Sequence, residues 1–101
     1  MIIQRWQAPL ALSKKQAQMI LLAEGLEIQE EVFRPGEKVR EHRHSFSEIR
    51  IIISGEMLIN ISGNQVLLRP GDKIEIPANT RHTYSIPGDL DCLSLCSQRI
   101  I

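Results

Sequence analysis

Apolar and polar residues follow two different periods along this chain. Residues 13–24, SKKQAQMILLAE, read as a helix: Ala17, Ile20, Leu21 and Glu24 share one face, and three of the four are apolar. Ser13 is a good N-cap, Gln16 occupies the third position of a capping box, and Gly25 suits the residue just past a helix C-terminus. After Gly25 the period shortens. Residues 26–33 (LEIQEEVF) alternate as a half-buried strand does. They are followed by KVREHRH, EIRIII, EMLINI, QVLLR, KIEI, HTYSI and LDCLSLC. Turn signals separate these runs: Arg34-Pro35-Gly36, Ser54-Gly55, Ser62-Gly63-Asn64, Arg69-Pro70-Gly71-Asp72 and Pro87-Gly88-Asp89. Seven or eight short strands at nearly regular spacing predict an all-β sandwich or barrel.

Length bounds the organisation. One domain is expected over residues 1–101, with 1–25 as an N-terminal extension carrying a helix at about 14–24 and 26–101 as the β-unit. Lys and Arg number 12 and Asp and Glu number 12, so there is no net charge to draw a nucleic acid or an anionic membrane. No apolar run approaches the roughly 20 residues that cross a bilayer. The start, MIIQRWQAPL, lacks the charged and then apolar regions of a secretion signal, so the expectation is a cytoplasmic protein with no nucleic-acid or membrane partner. Cys92 and Cys96 on one strand would lie roughly 13 Å apart, too far to bridge, and read as small buried hydrophobes. Trp6 is expected to pack against the β-unit. The charge runs Lys14-Lys15 and Glu30-Glu31 are expected on solvated faces.

The stretch EHRHSFSE, residues 41–48, carries the chemistry. Residues i and i+2 of a strand share a face, so His42 and His44 project together while Arg43 turns away. Ser45-Phe46-Ser47 would turn the chain, and Glu48 would begin the next strand facing back toward the pair. Two neutral imidazoles and one carboxylate make a facial triad that suits Fe(II), Mn, Ni or Zn. The third histidine of the chain, His82, follows IPANTR. By alternation Arg50 shares a face with Glu48, and Tyr84 with His82. Arg50 could bind a substrate carboxylate or phosphate there, or pair with Glu56 or Glu75, or be turned outward by a bulge. Phe46 in the turn is placed to close the mouth of a pocket, while Ile74 and Ile76 line the interior without chemistry of their own.

The wider pattern resembles the cupin superfamily. The family's first motif runs Gly, five residues, His-x-His, three or four residues, Glu, six residues, Gly. Here Gly36, His42, His44, Glu48 and Gly55 fill every fixed position. The second runs Gly, five residues, Pro-x-Gly, two residues, His, three residues, Asn. Here Gly71, Pro77 and His82 are kept, Asn79 replaces a glycine and Ile86 replaces the final asparagine. Asn is the non-glycine residue best able to supply a positive φ, so that turn is expected to survive, and a polar contact is expected to be lost at Ile86. The resemblance implies a small single-domain cupin: a double-stranded β-helix or jelly-roll barrel with a short N-terminal helix. It implies His42, His44, Glu48 and His82 as ligands of one divalent transition ion per chain, drawn from Fe, Mn, Ni, Zn or Cu. Arg50, Tyr84 and Phe46 would line a pocket for a small molecule, and the chain would form a homodimer. The expected activity is that of a metal-dependent enzyme, dioxygenase- or isomerase-like; the alternative is a non-catalytic module binding a small ligand or metal.

Overall fold

The computed structural model describes residues 1–100. In chain order it contains β1 (Ile2–Gln4), α1 (Lys14–Ala23), β2 (Gln29–Phe33), β3 (Lys38–His42), β4 (Ser47–Ser54), β5 (Met57–Ile61), β6 (Asn64–Leu68), β7 (Lys73–Ile76), β8 (His82–Ser85) and β9 (Cys92–Arg99). Two antiparallel sheets form, one in the order β1-β7-β4-β9-β2 and the other β3-β8-β5-β6. All-β architecture with one short helix is as the alternation predicts. No helix among the described residues is long and apolar enough to cross a membrane.

β4 explains the layering. Its central residues are buried on both faces. On the outer face Ile49 and Ile51 join Leu95 under the helix, packed against Leu12, Ala17, Leu21 and Leu26. On the inner face Ile52 joins Ile74, Ile76 and Cys92 from the first sheet, Met57, Ile59 and Tyr84 from the second, and Ile86 just past β8. The apolar run IRIII is therefore a central strand covered by a helix on one side and a second sheet on the other. Ile86, where the family motif has asparagine, is a core residue, only 4% exposed.

The helix ends are set locally. The Ser13 side chain accepts from the Gln16 N–H while the Gln16 side chain accepts from the Ser13 N–H, a complete capping box. At the other end Gly25 has φ +76°, and the Leu26 N–H reaches the Leu21 carbonyl while the Gly25 N–H reaches that of Leu22. That is a Schellman motif, closed by the apolar pair Leu26 and Leu21.

Two elements depart from the alternation. Ile2–Gln4 forms a short edge strand on β7, so the N-terminal extension belongs to the first sheet. β9 continues to Arg99, where the sequence pattern ended at Cys96. Trp6 packs on the β-unit as expected: its backbone N–H donates to Asp72, and its ring sits over Gly71 so closely that a Cβ there would fall 2.4 Å from the Trp6 Cβ.

Candidate metal centre

β3 ends at His42, and its pairing with β8 is irregular between Val39 and His42, where His42 sits opposite His82. His44 is thus not on a strand, as the spacing had implied, but in the loop that follows. Its backbone is held because its carbonyl accepts from the Asn79 N–H at 2.6 Å. Asn79 itself has φ +61°, the conformation expected of the residue replacing glycine. The second motif's turn therefore pins the first motif's loop, and His44 still reaches the others.

The side chains of His42, His44, Glu48 and His82 each offer one ligand atom, and these atoms lie within 4.8 Å of one another. Donors bound at about 2.1 Å from one ion stand roughly 3 to 4 Å apart, so a small contraction brings all four onto a single cation. Ring tautomers agree with this. His42 Nδ1 lies 2.7 Å from the Arg40 carbonyl and His82 Nδ1 2.8 Å from that of Thr80. A carbonyl only accepts, so both Nδ1 atoms carry a proton, and in the neutral rings that a metal requires both Nε2 lone pairs are free to ligate. His44 Nε2 is 3.3 Å from Glu48 Oε1, and its ring stacks on Phe46 with centroids 4.7 Å apart.

Glu48 is oriented by two donors on one of its oxygens. Arg50 Nε reaches Glu48 Oε2 at 3.2 Å and the Tyr84 hydroxyl donates to the same atom, while Oε1 faces His44 and His82. Because the single Tyr84 proton goes to Glu48, His82 Nε2, 3.0 Å from the Tyr84 oxygen, has no donor there: it carries a proton of its own or, in the neutral ring, a buried lone pair that a cation would satisfy. Burial alone would raise the Glu48 carboxyl, but the contact with His82, the Arg50 charge and the Tyr84 hydroxyl outweigh it and hold it at about 2. Burial pulls both His44 and His82 downward. It prevails at His44, whereas at His82 the neighbouring Glu48 and the Thr80 carbonyl reverse it. The Tyr84 hydroxyl is pushed well above its usual range by burial and by the Glu48 charge.

A cavity of about 240 Å³ opens beside this group. Its first wall is apolar: Phe33, Val39, Phe46 and the Tyr84 ring. Its second is polar and comes from β4, β9 and β2. Cross-strand register sets Gln98 beside Glu48, Cys96 beside Arg50 and Gln29, and Ser94 beside Glu31. Arg50 faces inward, 2% exposed, because the pairing of β4 is continuous through Glu48 and Arg50 and the irregularity falls beyond Ile52. Its ion-pair partners are Glu48 and Glu31 rather than Glu56 or Glu75. Arg50, Tyr84 and Phe46 all line the cavity, as the sequence suggested.

Two expectations need correcting. Glu31 is only partly solvated: it shares a face with Phe33, lines the cavity and pairs with Arg50 at 2.9 Å, whereas Glu30 pairs with Lys14 on the outside. Alternation with the buried Phe33 two residues later is the signal that could have found it. Cys96 is not a plain core residue either. It is half-buried and lines the cavity, with its thiol pushed up to about 12, chiefly by burial, while Cys92 lies in the core. Both thiols are free.

Residues 29–97 match the family described as Cupin domain. Acireductone dioxygenase from Bacillus licheniformis is 42% identical over 55 residues, which are 50% of this chain and 31% of that one. Its namesake from Bacillus thuringiensis is 34% identical over 61 residues, 55% of this chain and 36% of that one. The matched segment thus spans about a third of the length of these relatives. Among solved structures, a cupin protein from Bacteroides fragilis superposes with a TM-score of 0.66 at 29% identity, covering 73% of this chain and 64% of its own. A predicted oxalate decarboxylase from Thermotoga maritima gives 0.69 at 22% identity over 90% and 77%, a likeness of fold.

Proposed function

This chain belongs to the cupin domain family, and on that premise we propose that it binds one divalent transition ion through His42, His44, Glu48 and His82 and acts as an enzyme on a small molecule held in the adjoining cavity. The observation that carries this is the convergence of three imidazole nitrogens and one carboxylate oxygen within 4.8 Å. The similarity to two acireductone dioxygenases supports a dioxygenase-like reaction, though it extends over about a third of their length.

The ion, when bound, would polarise oxygen donors of a ligand as a Lewis acid and, if redox-active, exchange electrons with it. The chain's own residues do the rest. Arg50 and Tyr84 hold Glu48 Oε2, so Oε1 is left as a single donor and the carboxylate does not spread over two positions. The Arg40 and Thr80 carbonyls fix the His42 and His82 tautomers. Three histidines and one monodentate glutamate leave two positions of an octahedron for a chelating ligand. Phe33, Val39 and Phe46 give that side of the cavity an apolar lining.

One observation favours a second reading, a non-catalytic ligand-binding module. The groups beside the cluster are poor proton carriers near neutral pH: Tyr84 is raised far above its usual range, Cys96 is pushed up to about 12, and Arg50 is held in its charged form by the neighbouring carboxylates. Metal analysis of the wild type and of the His42→Ala, His44→Ala double variant tests the site. The wild type is expected to hold about one ion per chain and to release it below roughly pH 6, where protons compete for imidazole; the variant should hold none. Equal metal content in the two would end the assignment. Oxygen uptake by the Fe(II)-loaded protein against diketones, phenols and thiols separates enzyme from binding module.

A further inference from the structure

Among the described residues Arg50 is the cation, apart from the histidines, whose side chain lines the cavity, and each of its three nitrogens already donates a hydrogen bond within the protein. Nε donates to Glu48 at 3.2 Å, Nη1 to Ser94 Oγ at 2.6 Å and Nη2 to Glu31 at 2.9 Å. The Phe33 and Tyr84 rings lie 5.5 and 5.0 Å from its central carbon. One positive charge is thus matched by two carboxylates. Glu48 is needed by the cluster. Glu31 is not: it reaches in from the edge strand β2, its side chain 41% exposed, across β9 to Arg50. The other polar side chains of that wall, Gln29, Gln98 and Cys96, are neutral.

We propose that Glu31 determines the charge of ligand that the cavity accepts: seated on Arg50, it fills the place an anionic ligand tail would take. A tail carrying a second carboxylate must either displace Glu31 or lie against it, and each costs free energy. A tail that is neutral and carries a hydroxyl or carbonyl meets amides and a carboxylate that can hydrogen-bond to it. The selected class is therefore small chelators with a neutral tail. The chelating half of this statement rests on the metal-binding reading above; the assignment of Glu31 to Arg50 does not.

The experiment has two arms so that the two claims separate. In the metal-free protein, Glu31→Ala vacates the place on Arg50, and added acetate should fill it. The melting temperature of Glu31→Ala is expected to rise with acetate, while wild type, Glu31→Gln (which keeps an acceptor oxygen in position) and the outward Glu30→Ala do not respond. Should Glu31→Ala fold only with acetate present, that is the same rescue. In the zinc-loaded protein, calorimetry compares 2-oxopentanoate with 2-oxoglutarate, which share the chelating group and differ by the terminal carboxylate. Wild type is expected to prefer 2-oxopentanoate by about tenfold, with the preference weakened in Glu31→Gln and lost or reversed in Glu31→Ala. Equal affinity of the wild type for the two acids, or a metal-free Glu31→Ala indifferent to acetate, overturns the proposal. Acetate rescue with no zinc retained by the protein supports Glu31 on Arg50 and sinks the metal site instead, whereas zinc retained with neither oxo acid binding overturns the ligand assignment.

Discussion

Arg50→Met tests how far the centre depends on one buried cation. Methionine keeps an unbranched apolar side chain and removes the guanidinium, together with its stacking on the Phe33 and Tyr84 rings. Three losses follow, and they differ in size. The pair with Glu31 ends in a carboxylate that is 41% exposed, so it contributes no more than about 1 kcal/mol. Ser94 Oγ, fully buried, loses its partner, which costs about 1–3 kcal/mol if no water replaces it. The largest loss is at Glu48, 4% exposed, whose buried charge keeps only Tyr84 and the imidazoles as company; breaking such a pair from one side costs about 3–5 kcal/mol. These terms share one side chain and do not add, so the expectation for the metal-free protein is a loss of about 3–5 kcal/mol in urea unfolding at pH 7. A divalent ion bound at the proposed site would supply the positive charge that Arg50 no longer gives to Glu48. Zinc should therefore raise the stability of Arg50→Met by more than it raises that of the wild type. A loss below about 1 kcal/mol without metal would mean that Glu48 does not rely on Arg50, and the orientation argued for its two oxygens would fall.

Three further perturbations probe the frame around the site. The Glu24 carboxyl is raised by burial, but hydrogen bonds and charges from Lys73 and Arg99 outweigh this and hold it below its usual value. Its ionised form thus stabilises the fold above the ordinary carboxylate range and ceases to do so as pH falls through the lowered folded value. Glu24→Gln should cost about 1 kcal/mol at pH 7, and in urea melts its deficit against wild type should close toward pH 3. Gly71→Ala sets a Cβ about 2.4 Å from that of Trp6 at a backbone φ of +90°; a loss of about 2 kcal/mol is expected, with a shift in emission from the single tryptophan, and unchanged emission would place Trp6 elsewhere. Asn79→Ala should cost about 1 kcal/mol and Asn79→Gly almost nothing, since only the left-handed backbone is at stake; equal losses in thermal melts would point to a side-chain contact.

What the sequence made legible was local. Ser13, Gln16 and Gly25 specify the two ends of α1 through hydrogen bonds that close within a few residues. The alternation of β5 and β7 separates buried Ile59 and Ile74 from their outward neighbours without reference to any other strand. The four candidate ligands were legible because their spacing follows a family pattern, even though His44 reaches the cluster from a loop. Ile2–Gln4 was missed because three residues show no period, and what makes them a strand is the edge of β7.

The polar wall was hidden for a different reason. Alternation says which residues of one strand share a face, but not which strand lies across from them. Glu31 meets Arg50 because β9 lies between β2 and β4, an order that joins residues 19 apart in the chain. Yet the need for such a partner was visible in EIRIII. An arginine inside a run that apolar residues bury on both faces must carry compensating charge with it, and Glu48, two residues away, is already committed to the histidines. A second carboxylate was required. Of the acidic residues the chain offers on its strands, Glu31 is the one that shares its face with a large apolar residue, Phe33, and so turns toward the interior. Outward Glu30 and inward Glu31 are neighbours with opposite roles, and the side chain that follows by two decides between them.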